Sequence, residues 1–215
     1  MHGLLNSAAD WVINFQNQSF GENLQVSECA FPQNTDAAVK YAEQKIPAFD
    51  QMIEFDLPAT IDLVLGATHQ PMLYYAGYSQ GALIMFGLLS AKPEYNAKVA
   101  LFAALAPVTA LGHIKGPARK LATLALSIKG RPPCYELENV RVPVAIFWGD
   151  GDWMSTTKDL DNLRDRLSNV VYDHRVDFPN FNHADFIFAS GAKTLLYDKV
   201  IQVFRKFQIR QVRNE

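Results

Sequence analysis

The sequence predicts one α/β domain spanning residues 1–215, a mainly parallel sheet with helices on both faces. Two observations carry that expectation. Short runs rich in apolar, aromatic or β-branched residues alternate with stretches of helical periodicity. The chain has 215 residues, 49% of them hydrophobic, enough for a single buried core and too few for two ordinary domains.

The first expected helix, Leu57 to Leu65, carries Pro58 in its opening turn, where a missing N–H costs nothing. A buried strand follows at Met72 to Ala76, then an apolar helix at Gln80 to Leu89. Val99 to Leu105 and Val142 to Trp148 read as further buried strands. Thr156 to Leu167 sets Lys158, Asp159, Asp161 and Arg164 against Leu160, Leu163 and Leu167, which gives a helix one wet face and one dry. Val170 to Val176 is the fourth strand, and Tyr197 to Phe207 repeats the amphipathic pattern. Two stretches lack such patterning: Gly21 to Lys45 is polar, and Gly112 to Arg141 is broken by Gly116, Pro117, Gly130, Pro132 and Pro133.

Charge and composition exclude several classes. Twenty Lys and Arg against 22 Asp and Glu leave no basic field to hold a phosphate backbone, so nucleic acid is not an expected partner. The two cysteines, Cys29 and Cys134, are far apart in sequence and define neither a disulfide framework nor a zinc cluster. No apolar run reaches the roughly 18 residues of a membrane span, and the opening MHGLLNSAADW lacks the charged-then-apolar layout of a signal peptide. Asn17-Gln18-Ser19 fits the N-glycosylation pattern, which matters only on a secretory route.

The chemistry is concentrated after the first strand, where Gly77-Tyr78-Ser79-Gln80-Gly81 forms G-x-S-x-G between a strand and a helix. A turn that tight forces the serine into a strained backbone shape, and glycines two before and two after let strand and helix approach. A serine hydroxyl needs a base to take its proton and an acid to orient that base. The strand Val142 to Trp148 ends in Gly149-Asp150-Gly151-Asp152, which puts two candidate carboxylates at the sheet end where Ser79 projects; spacing does not choose between Asp150 and Asp152. After Val170 to Val176 the loop Phe178-Pro179-Asn180-Phe181-Asn182-His183 supplies the base. The order Ser, Asp, His is that of the α/β-hydrolases. His69, His113 and His174 read as surface residues, and Asp185 as a cap for the helix that follows. An oxyanion hole requires two N–H donors: Gln80, the residue after the nucleophile, supplies one, and His2-Gly3-Leu4-Leu5 is placed to supply the other.

These segments together resemble the acid lipase family, the gastric and lysosomal lipases that cleave triacylglycerols and steryl esters. His2-Gly3-Leu4-Leu5 with Ser7, Ala8, Asp10 and Trp11 resembles the family's oxyanion loop, which implies Leu4 and Gln80 as the backbone donors. Phe55-Asp56-Leu57-Pro58-Ala59-Thr60-Ile61 resembles the helix before the nucleophile. Tyr78-Ser79-Gln80-Gly81 stands where the family usually has His-Ser-Gln-Gly. Leu105-Ala106-Pro107-Val108, Val142-Pro143-Val144-Ala145 with Gly149 to Trp153, and Asn182-His183-Ala184-Asp185-Phe186 match the later strand ends and loops. The resemblance implies a catalytic set of Ser79, Asp152 and His183, with no metal or organic cofactor.

It also implies a lipase-like carboxylic ester hydrolase acting on a water-insoluble acyl ester, with peripheral contact to a lipid surface and a secreted or lysosomal site of action. Relative to the family the fold is expected to be incomplete: its leading strands lie ahead of the His-Gly-Leu-Leu segment, which here follows Met1, and its helical cap is reduced to residues 112–141. Exposed strand edges and an uncovered acyl pocket would then favour association of the chain. Two other functions fit the same residues: a lipase-like protein that binds lipid or a partner with little or no turnover, and an esterase or thioesterase for short acyl groups.

Overall fold

The computed structural model describes residues 49–110, 113–116, 119 and 135–214. Four strands form one parallel sheet in sequential order: β1 (Leu73–Tyr78), β2 (Val99–Leu105), β3 (Val144–Trp148) and β4 (Val170–Arg175). Helix α1 (Leu57–Thr68) precedes the sheet, entered through a widened π-helical turn at Met52–Asp56. Helix α2 (Gln80–Ala91) follows β1, α3 (Thr157–Arg166) joins β3 to β4, and after β4 come the short α4 (Asp185–Phe188) and the long α5 (Asp198–Asn214).

The two central strands are buried on both faces because their sequences are apolar at both parities, whereas β4 alternates and leaves one face exposed. All seven residues of β2 are buried. Phe102 and Ala104 join one apolar cluster with Ile53, Leu57, Phe86, Val144, Ile146, Leu160 and Leu163, under α1, α2 and α3. Leu101, Ala103 and Leu105 join the other with Phe147, Phe181, Phe186, Leu196, Tyr197 and Val200. Each Leu, Ile or Phe so buried contributes about 1.5–3 kcal/mol, which makes this sheet the principal source of stability among the described residues.

Most elements begin and end within a few residues of their expected positions, although the last helix, expected to end at Phe207, runs on to Asn214. β3 starts at Val144 because Pro143 has no N–H to donate, although its carbonyl still accepts the N–H of Phe102 at 2.9 Å. β1 runs on to Tyr78, directly into Ser79. Thr156 lies just outside α3 as its N-cap, its Oγ1 accepting the Asp159 N–H at 3.3 Å.

His174 differs from its reading as a surface residue. Val171, Asp173 and Arg175 of β4 are exposed, but Tyr172 and His174 face the second cluster and are half-buried. The His174 ring lies 5.8 Å from that of Tyr172 and 5.9 Å from that of Phe147. Burial, with the Lys199 ammonium adding to it, holds the imidazole below its ordinary pKa despite Asp177 and Asp173 nearby. Between the folded pKa and the unfolded value of about 6.5 the unfolded chain binds more protons, so stability rises with pH across that window and falls as pH drops through it. His174→Gln should therefore lose less stability than the parent chain between about pH 7.5 and about pH 5, as read from denaturant midpoints.

Candidate active site

Ser79 links β1 to α2 with φ 53° and ψ −110°, a positive-φ conformation that a residue bearing a Cβ adopts only under strain, at a cost of roughly 1–3 kcal/mol. The strain is held from both sides. Ser79 N–H donates to Leu105 C=O at 2.9 Å, and its own carbonyl accepts from Ala82 and Leu83 at 3.1 Å each. Gly77 is required here: a Cβ on it would lie 2.7 Å from the carbonyl carbon and oxygen of Gly81. Tyr75 Oη donates to that same Gly81 carbonyl at 2.9 Å, tying strand to helix.

The loop after β3 and the loop after β4 meet backbone to backbone. Gly151 N–H donates to Phe181 C=O at 3.1 Å. A Cβ on Gly149 would fall 2.1 Å from the Phe181 carbonyl oxygen, and one on Gly151 2.2 Å from that of Asn180. Asn180 accommodates the close approach with φ 58°, a region its short amide tolerates. This contact carries Asp152 and His183 to the carboxyl end of the sheet beside Ser79. His183 Nε2 lies 2.8 Å from Ser79 Oγ, and His183 Nδ1 lies 2.8 Å from Asp152 Oδ2.

All three side chains are buried: Ser79 is 4%, Asp152 6% and His183 7% exposed. A buried carboxylate is tolerable only when its lone pairs are satisfied. Asp152 Oδ1 accepts the N–H groups of Met154 and Ser155, both at 2.8 Å, leaving Oδ2 for the imidazole. Since a carboxylate only accepts, His183 Nδ1 must donate to it; the neutral ring then offers Nε2 as an acceptor, and the Ser79 hydroxyl donates. The arrangement is thus poised to move a proton from Ser79 to Nε2, with the imidazolium stabilised by a dry, fully hydrogen-bonded carboxylate.

The other residues singled out in the sequence fall as follows. Asp150 is turned toward Arg175, at 3.3 Å. Gln80 begins α2, where helix geometry leaves a first-turn N–H without an intrahelical acceptor; its side chain Nε2 contacts Met52 Sδ at 3.1 Å. Leu4, Cys29, Cys134, Asn17 and the greater part of 112–141 lie outside the described residues. Asp185 opens α4, but its carboxylate accepts the Asn182 N–H at 2.8 Å rather than capping the helix ahead of it. His113 does not read out as a free surface histidine: its Nδ1 lies 2.7 Å from Oδ1 of the buried Asp159. Among the described residues no group of three His, Cys, Asp or Glu could hold a metal ion.

Sequence reasoning missed two supports of the site. One is Tyr78, whose hydroxyl donates to the His183 carbonyl at 2.8 Å. The other is the brace behind Asp152: Ser155 Oγ donates to Pro107 C=O at 2.7 Å, Lys115 N–H to Trp153 C=O at 2.8 Å, and Thr156 Oγ1 to Asp159 Oδ2 at 2.9 Å. Part of that brace was legible, since Thr156-x-x-Asp159 is a capping-box spacing. Because Gly149 has backbone rather than a flexible side chain in its way, Gly149→Ala should destabilise the chain by about 2 kcal/mol or more. Gly66→Ala, in α1 with nothing within 4 Å, should be neutral or stabilising by up to about 1 kcal/mol; denaturant unfolding of the two variants compares them.

No family model matches the chain. The gastric triacylglycerol lipase of Bos taurus is 24% identical to it over an alignment covering 94% of this chain and 78% of that protein. The lysosomal acid lipase/cholesteryl ester hydrolase of Rattus norvegicus is 23% identical over 96% of this chain and 79% of its own length. The bovine alignment extends over 311 positions against the 215 residues here, so that relative carries residues inside the aligned span that this chain lacks. Among solved structures, the monoacylglycerol lipase of Paleococcus ferrophilus superposes with a TM-score of 0.51 at 13% identity, covering 75% of this chain and 76% of that one. Across nearly its whole length the chain is similar in sequence to the gastric and lysosomal acid lipases, and its described parallel sheet with flanking helices has the α/β-hydrolase fold.

Proposed function

We propose that the protein is a lipase-like carboxylic ester hydrolase that works through Ser79, His183 and Asp152. The observation that carries the reading is the continuous pair of 2.8 Å hydrogen bonds from Ser79 Oγ through His183 to Asp152, mounted on a strained turn. Ser79 Oγ attacks the ester carbonyl as its proton moves to Nε2, and Asp152 holds the ring in the required tautomer and stabilises the imidazolium. The N–H of Gln80 receives the developing oxyanion, with the N–H of Leu4 as its second donor. Collapse expels the alcohol, which takes the proton from Nε2. Water then attacks the acyl-enzyme by the same route in reverse, and the acid leaves.

The named relatives, a triacylglycerol lipase and a cholesteryl ester hydrolase, support a water-insoluble acyl ester as substrate. In this reading residues 112–141 stand where the resembled family has its larger cap. Among the described residues no helix is long and apolar enough to cross a membrane, and contact with a lipid surface is peripheral in this reading.

A serine-reactive phosphonate should label Ser79 and leave Ser79→Ala unmodified, as read by intact mass. His183→Ala should lower turnover by about 10⁴-fold or more with little change in the unfolding midpoint. Asp152→Asn should approach that loss, because the amide presents the wrong hydrogen-bonding partner, whereas Asp150→Asn should stay within about threefold of the parent. Reversed effects at the two aspartates would move the acid role to Asp150. Faster hydrolysis of long-chain than short-chain esters in emulsion is the expected preference; the opposite order would make the protein a short-chain esterase.

A further inference from the structure

Tyr78 is the residue at which this sequence departs from the His-Ser-Gln-Gly pattern it otherwise resembles, and the mechanism above gives it no part. Its side chain is 4% exposed and touches the base-bearing residue twice. The hydroxyl donates to the His183 carbonyl at 2.8 Å, and the ring lies 5.1 Å from the imidazole and 6.1 Å from Phe186. We propose that Tyr78 is a positioning residue that keeps His183 in reach of the ester carbon while Ser79 is acylated, so that it governs deacylation more than acylation. The inference rests on the serine hydrolase reading.

The reason lies in which bonds survive the first half of the reaction. In the free enzyme the imidazole is held at both nitrogens, Nε2 by the Ser79 hydroxyl and Nδ1 by Asp152. Once the acyl group is bonded to Ser79 Oγ, that oxygen has no hydrogen left to donate, and Nε2 must instead accept a proton from water. Water's oxygen then bonds to the acyl carbon as its proton passes to Nε2; the C–Oγ bond breaks, the proton returns to Oγ, and the carboxylic acid departs. Through these steps the Tyr78 bond to the His183 backbone persists, since neither of its partners changes. It is a direct tie between the strand that carries the nucleophile and the residue that carries the base, 105 positions apart. The backbone bond from Gly151 to Phe181 lies two residues upstream of His183 and binds the loop to the segment that bears Asp152, not to Ser79.

Tyr78→Phe keeps the ring and removes only the hydroxyl. Acylation should be nearly unchanged, because Ser79 itself still holds Nε2: labelling by phosphonate, and kcat/KM for an activated p-nitrophenyl ester, should stay within about twofold of the parent. Decay of the acyl-enzyme should slow by about tenfold, the scale expected when a catalytic group drifts by a fraction of an ångström. Intact-mass measurement of acylated Ser79 after removal of excess ester gives that rate directly, and kcat and KM should fall together. An unchanged decay rate would overturn the proposal. So would a loss of phosphonate labelling in the variant, which would make Tyr78 a packing residue for the whole site. Failure of the parent chain to label at Ser79 would count instead against the hydrolase reading.

Discussion

The arrangement depends on one geometric problem: Ser79 follows β1 and His183 follows β4, strands at opposite edges of the described sheet. With strands in the order β1-β2-β3-β4 and neighbours about 4.8 Å apart, the ends of β1 and β4 are separated by roughly 14 Å. The segment after β4 must therefore travel back over the ends of β3 and β2 before His183 can reach Ser79. Two contacts with its backbone across the sheet's end guide that return path. Midway, Gly149 and Gly151 admit the backbone of Asn180 and Phe181 at distances no side chain would permit. At its end, Tyr78 holds the His183 carbonyl. The glycines are thus as much a part of the site's geometry as the residues that bear its chemistry.

This explains which parts of the molecule could be read in the sequence. The strands and helices were legible because each has a periodicity that its environment enforces: β2 is apolar at every position because both its faces are covered, and α3 alternates because only one of its faces is. Ser79 was legible because its strain demands local glycines. The choice between Asp150 and Asp152 was not settled by spacing, since two carboxylates two residues apart share a loop and differ only in which way the backbone turns. Gly151, held to Phe181, makes that turn; Asp152 is directed inward and Asp150 outward to Arg175. Only resemblance to a family could separate them beforehand.

Tyr78 and His174 were misread or overlooked for a different reason. Their partners are remote in sequence, and in the case of Tyr78 the partner is a backbone carbonyl, which every residue possesses and no pattern marks. His174 alternates with charged neighbours along β4, a pattern that suggests a wet strand, until α5 and the turn before it are placed over that face. In both cases the side chain's surroundings are decided by a tertiary contact, and local periodicity carries no information about it.

Asp152 is braced from the side opposite His183, and this bears on how the connection between β2 and β3 relates to the site. Asp152 takes its two backbone hydrogen bonds from Met154 and Ser155, and the turn that presents those N–H groups is itself tied down by Pro107, His113 and Lys115: Ser155 to Pro107, Trp153 to Lys115, and the α3 cap through Asp159 to His113. Asp159 is buried and shared between Thr156 and His113, so neither bond can be lost without leaving a buried polar oxygen short of a partner. The start of that long connection is therefore built into the wall behind the carboxylate rather than hinged against it.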